Sequence, residues 1–163
     1  MYDFYFGEKN DIKRNENLYL ISIKRMLPKW MNSIPDSEFI ALGNIAKLIK
    51  KNKPIFVETG SGASSLILCF YAMKTNGKLY TWDTNPEKTS QLRSAFNETI
   101  ARYFNKNIND HWITINASSV SKYCGLGMLD ELKLKINLFF HDSEHVLQTI
   151  LSEINLVNKI LDN

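Results

Sequence analysis

Apolar side chains along this chain follow two patterns: stretches in which they return every three or four residues, and short unbroken runs of β-formers closed by glycine, proline or an acid. The first predicts helices with one buried stripe, and the second predicts strands covered on both faces. Residues 1–35 follow neither pattern, apart from an apolar patch from Leu18 to Leu27, and they read as an N-terminal cap or arm containing Pro28 and Pro35. From Pro35-Asp36-Ser37-Glu38 a capping residue and an early acid lead into Phe39, Ile40, Leu42, Ile45, Ala46, Leu48 and Ile49 at helical spacing. That helix ends near Lys53-Pro54.

Ile55-Phe56-Val57 then forms a compact strand that breaks into Glu58-Thr59-Gly60-Ser61-Gly62-Ala63-Ser64-Ser65, followed by helix-like Leu66 to Met73. A turn at Asn76-Gly77 precedes a second strand, Lys78 to Trp82, which closes at Asp83. Asn85-Pro86-Glu87 opens a helix with Leu92, Ala95, Phe96, Ile100, Tyr103 and Phe104 on one face, and Trp112 to Ile115 is the third strand. A loop or short helix around Gly125 and Gly127 leads to a fourth strand, Ile136 to Phe140. The last helix, from about Val146 to Leu161, is expected to bury the stripe Leu147, Ile150, Leu151, Ile154, Val157 and Leu161. Strands alternating with helices predict an α/β fold: a Rossmann-like open parallel sheet flanked by helices, occupying residues 36–163.

Composition narrows the functional classes. With 44% apolar residues the chain can build a buried core, and a formal charge of +3 with scattered basic residues gives no electrostatic case for nucleic acid. The lysine cluster Lys47, Lys50, Lys51 and Lys53 reads as a solvated helix end. Cys69 and Cys124 stand far apart without metal-ligand spacing, which argues against zinc and against a disulfide framework. No apolar run approaches the roughly 20 residues of a membrane span, and the N-terminus lacks the features of a signal peptide, so a cytoplasmic protein with no membrane partner is expected.

In an open parallel sheet, ligands bind beyond the carboxyl ends of the strands. Three of the predicted strands close on an acid there: Glu58, Asp83 and Asp142. Gly60 and Gly62 stand at the strand-to-helix turn, where a missing β-carbon lets backbone approach a ligand, and the helix N-terminus behind them could hold a phosphate or a carboxylate equally well. Asp83, at the end of the next strand, stands where a carboxylate accepts both hydroxyls of a ribose, and the two features together imply an adenosine ligand. The third glycine of the dinucleotide fingerprint is absent, Ser65 taking its place, and Glu58 precedes the turn by two residues.

Glu58-Thr59-Gly60-Ser61-Gly62-Ala63-Ser64 resembles the acid-x-Gly-x-Gly-x-Gly motif of class I S-adenosylmethionine-dependent methyltransferases, with Ser64 replacing the last glycine. Asp83 matches that family's ribose-binding acid, and Ile136 to His145 resembles its fourth-strand signature, hydrophobic-Asp-Gly-Asp-His. The resemblance implies a cofactor site built from Glu58, Thr59, Gly60, Ser61, Gly62, Ser64, Asp83, Ser118 and Asp142, with S-adenosyl-L-methionine as cofactor. Where relatives place an acid against the adenine amino group, this chain reads Asn116-Ala117-Ser118-Ser119, and Ser118 is the remaining candidate. Small-molecule and sugar O-methyltransferases with a similar Asp-x-x-His segment imply Asp142 as a Mg2+ ligand and His145 as general base, with a small polar acceptor. A second reading has Asp142 capping the next helix and His145 on its exposed first turn. His111 and His141 are read as structural, and Trp82 and Trp112 as core or pocket wall.

The sequence ends where the family continues into a fifth strand, so the expectation is a sheet whose C-terminal strands are missing and whose fourth strand offers an exposed edge for pairing with another copy. Two alternatives stand beside the O-methyltransferase reading: a truncated, non-catalytic protein that binds an adenosine ligand or a partner chain, and an NAD-dependent oxidoreductase.

Overall fold

The sheet holds four parallel strands in the order β3-β2-β1-β4: β1 (Ile55–Thr59), β2 (Lys78–Trp82), β3 (Trp112–Ile115) and β4 (Leu138–His141). The computed structural model describes residues 15–162. Strand order reverses on either side of β1, and this reversal opens a crevice at the strands' carboxyl ends. Register aligns the rim, because Thr59 stands opposite both Trp82 and His141, and Trp82 stands opposite Ile115. Gly60, Asp83, Asn116 and Asp142, each one residue further on, therefore emerge together.

The helices are α1 (Glu16–Met26), α2 (Asp36–Leu48), α3 (Ala63–Lys74), α4 (Pro86–Phe96), α5 (Gly127–Glu131) and α6 (Leu147–Val157). Helix α3 is buried from Ala63 through Met73, as its nearly all-apolar sequence requires, and it lies against both the sheet and α2. Gly43 permits the close approach of α2: a β-carbon there would stand 2.3 Å from Ile67 Cδ1. The apolar patch at Leu18–Leu27 belongs to α1, whose Tyr19, Leu20 and Ile23 join the same core as Phe39, Leu66 and Phe70. Lys24 and Arg25 of α1 each lie 2.8 Å from Asp36 at the start of α2, tying this segment down. The predicted cap over residues 1–35 falls partly outside the described residues. Asn85 accepts a hydrogen bond from the Lys88 amide with Pro86 at the first helical position, so α4 begins as its sequence predicts. It continues through a π-turn (Asn97–Ala101) and one last turn (Arg102–Phe104), burying Leu92, Phe96 and Ile100.

One expectation is corrected. The stripe of α6 does not face inward: Leu147, Leu151, Ile154 and Leu161 are exposed, Leu147 by 70%, whereas Val157 is buried and Glu153 is 0% exposed. The helix is turned so that the Glu153 carboxylate meets four hydrogen-bond donors. β4 stands at the sheet edge, as expected; just before it, Leu161 forms an isolated parallel bridge with Ile136, the Ile136 amide donating to Ile160 O and the Asp162 amide to Ile136 O. Among the described residues, no helix is long and apolar enough to cross a membrane.

Candidate functional site

Gly60 shapes the rim. Its φ of +83° is one that side chains with a β-carbon rarely adopt, and an added β-carbon would stand 2.0 Å from the Asp142 carbonyl oxygen. The chain thus crosses the end of β4 in direct backbone contact, and the Asp142 amide donates to Thr59 O at 2.8 Å. The amides of the turn are occupied from within the protein. Gly60 N–H donates to Trp82 O at 2.8 Å, Ser61 N–H to Asp83 Oδ2 at 2.8 Å, and Gly62 N–H to Ser65 Oγ at 3.1 Å. The anion-holding capacity expected of this turn is therefore not realised by these three groups.

Asp83 stands at the centre of the rim. Its Oδ2 accepts from both the amide and the hydroxyl of Ser61, at 2.8 and 2.5 Å, and its Oδ1 accepts the Asn85 amide at 2.7 Å. Burial alone would raise its affinity for a proton; the Ser61 hydroxyl, the Asn85 and Ser61 amides and the Lys88 ammonium outweigh it and hold Asp83 below the usual carboxylate range. A carboxylate offers about four lone-pair sites. Three are taken, so Oδ1 keeps room for one further donor, and a second donor would displace the Ser61 hydroxyl.

Glu58 lies beneath the turn. It is wholly buried, accepting from Thr81 Oγ1 at 2.7 Å and Ser64 Oγ at 2.9 Å, while the Trp112 indole donates to Thr81 Oγ1. Burial pushes its carboxyl up to about 7, against the lowering effect of the Ser65, Thr81 and Ser64 hydroxyls.

A solvent-open pocket of about 200 Å3 lies over the rim, walled by Gly60, Trp82, Asp83, Ser118, Ser119 and Ser143 among others. Of the residues singled out in the sequence, Gly60, Trp82, Asp83 and Ser118 border it; Ser61 stands behind Asp83, and Glu58 and Ser64 lie under the floor. Thr59 points its hydroxyl to Glu153, at 3.0 Å. Gly62 begins α3 with extended backbone, where an added β-carbon would meet Met31 O at 3.2 Å. The Asp142 side chain does not cap α6, whose N-terminal flanking residue is Val146. Burial raises the Asp142 carboxyl, opposed by Lys88, His145 and His141. His145 is exposed, its ring 6.0 Å from that of His141. Among the described residues, no three His, Cys, Asp or Glu side chains gather into a metal cluster, so the geometry gives no support to Mg2+ at Asp142.

Sequence reasoning missed Glu153, Ser119 and Ser143. Glu153 accepts from His141 Nδ1 at 2.6 Å and Thr59 Oγ1 at 3.0 Å on Oε2, and from Ser143 Oγ at 2.9 Å and the Ser119 hydroxyl on Oε1. A signal was present: Glu153 lies on the helical line of Ile150 and Val157, where a lone acid among apolar neighbours marks an inward-facing charge. His141, read as structural, contributes Nδ1 to this network, and its Nε2 is buried with no hydrogen-bond partner among the described residues.

Residues 57–163 match the family model described as a methyltransferase domain. No curated protein matches the chain. Among solved structures, an rRNA methylase from Streptococcus thermophilus shares the fold with a TM-score of 0.51 at 13% identity. The alignment covers 76% of this chain and 63% of that one, so the chain spans under two thirds of the length of that solved relative.

Proposed function

This chain belongs to the methyltransferase-domain family, and from that membership we propose that its pocket binds S-adenosylmethionine and that the protein transfers a methyl group to a hydroxyl of a small polar acceptor. One observation carries the reading: Gly60 after β1, Asp83 after β2 and Ser118 after β3 wall a single pocket. Asp83 would hold a ribose hydroxyl on Oδ1, Ser118 would meet the adenine edge, and the Gly60 turn would border the methionine portion. Glu58 and Ser64 act from beneath, holding the turn in place. The occupied amides leave no anion seat on these three groups, for a pyrophosphate or for a methionine carboxylate alike.

The bound cofactor supplies an electrophilic methyl on a sulfonium. The acceptor oxygen must lose its proton as it attacks, and His145, exposed in the segment between β4 and α6, three residues after Asp142, is the base we assign to it. The rest of the rate comes from positioning.

Titrating S-adenosylhomocysteine and NAD into the purified chain by calorimetry tests the cofactor. Saturable heat with the first alone supports the reading; binding of NAD alone, or of neither, overturns it. The acceptor is tested by methyl transfer to panels of hydroxylated small molecules and, because the solved relative is titled an rRNA methylase, to RNA in parallel. Transfer to RNA alone would replace the small-molecule assignment.

A further inference from the structure

The pocket wall carries two hydroxyls that face a buried carboxylate. Ser119 and Ser143 border the pocket, and both donate their protons to Glu153 Oε1. Glu153 is 0% exposed, with Thr59 Oγ1 and His141 Nδ1 on its other oxygen. Four donors thus fill the four lone-pair sites of one carboxylate. A hydroxyl has one proton, so a serine that donates to Glu153 shows its remaining neighbours only lone pairs. Two such serines make this stretch of wall an acceptor surface, fixed by a charge that never touches the ligand.

The loop that carries Ser119 is held firmly. Leu126 N–H donates to Ser119 O at 2.7 Å, and a β-carbon on Gly125 would stand 2.4 Å from that same oxygen. Ser119 also follows Ser118 directly at the end of β3, in the segment where this chain has no acid.

We propose that Glu153 is a specificity-determining positioning residue: by taking the protons of Ser119 and Ser143 it makes the pocket wall accept hydrogen bonds, and so selects the exocyclic amino group of adenine over the carbonyl oxygen of hypoxanthine. The inference rests on the cofactor reading above. An amino group donates into this wall, whereas a carbonyl would set its lone pairs against those of the serines, leaving buried acceptors unpaired.

The test compares Kd values for S-adenosylhomocysteine and S-inosylhomocysteine, identical except at that position. The wild-type chain is expected to prefer the adenosyl compound by about tenfold or more, the cost of unpaired buried polar groups. In Glu153→Gln the new amide donates to one of the two serines, which turns a hydroxyl proton toward the pocket, and the preference is expected to fall several-fold. Ser119→Ala leaves the carboxylate in place and serves if the glutamine variant does not fold; it too should weaken the adenosyl compound more than the inosyl one. Equal weakening of both compounds in these variants, or no preference in the wild type, overturns the inference while leaving the cofactor reading intact. A wild-type chain that binds neither compound removes the cofactor reading and this inference with it.

Discussion

The carboxylate of Glu58 lies 2.7 Å from the hydroxyl of Thr81, its register partner on the neighbouring strand, and no part of Glu58 reaches solvent. Hydroxyl donors alone face this carboxylate, and burial lifts it from an ordinary 4.5 to about 7. Between those values the folded protein holds a proton that the unfolded chain has released. Stability should therefore fall as pH rises from about 4.5 to about 7 and be flat in this contribution above that, by about 3 kcal/mol in total. Glu58→Gln, neutral throughout, should match the wild type near pH 5 and exceed it at pH 8. Urea midpoints at the two pH values check this.

Asp83 carries the opposite sign. Held below its ordinary 3.8, it contributes stability that is present above that value and lost as pH falls through its lower folded value. Replacing it with alanine removes the acceptor of the Ser61 and Asn85 amides as well as the proposed ribose contact. S-adenosylhomocysteine affinity should drop roughly 10- to 100-fold, the scale of one charge-assisted hydrogen bond. Calorimetric Kd values for Asp83→Ala and wild type decide it, and an unchanged constant would remove the ribose assignment.

Much of the fold was legible because each β-run ends in a residue that cannot continue it. Val57 runs into the glycine turn, Trp82 into Asp83, and the Asn85-Pro86 pair caps α4 as its chemistry requires. The convergence of Gly60 and Asp83 followed from the same logic, since adjacent parallel strands deliver their carboxyl ends to one rim. The Glu153 network was not legible, because Ser119 lies 34 residues from it in sequence and only the tertiary fold makes them neighbours. The availability of the turn amides was hidden for a related reason: whether an N–H faces a ligand or Asp83 Oδ2 depends on a contact between strands.

Gly60 and Gly62 are equivalent in the motif but not in the structure. Gly60→Ala drives a β-carbon against the Asp142 carbonyl at a left-handed φ and should cost about 2–4 kcal/mol. Gly62 has a φ of 170°, an extended conformation open to any residue, and a β-carbon there would meet Met31 O at 3.2 Å, a tight contact relieved by a shift of a few tenths of an ångström. Gly62→Ala should therefore cost under about 1 kcal/mol. Equilibrium denaturation of the two variants separates a turn dictated by backbone conformation from one dictated by sequence motif.

Helix α6 offers the sharpest contrast between pattern and packing. The apolar period places Leu151, Ile154 and Val157 on one buried stripe, whereas the fold buries Val157 together with Glu153 and leaves Leu151 and Ile154 exposed. A helix cannot satisfy both orientations. Turning the apolar stripe inward would swing Glu153 away from Thr59, Ser119, His141 and Ser143, and an unpaired donor left behind costs about 1–3 kcal/mol. Stranding four donors at that cost outweighs burying Leu151 and Ile154, which would contribute about 1.5–3 kcal/mol each. Leu151→Ser and Ile154→Ser should thus shift stability by no more than about 0.5 kcal/mol each. Val157→Ala, which removes two buried methyl groups, should cost about 1–2 kcal/mol. If urea denaturation gives the reverse order, with the two serine variants strongly destabilised, then the stripe is the buried face and the Glu153 network does not set the rotation of the helix.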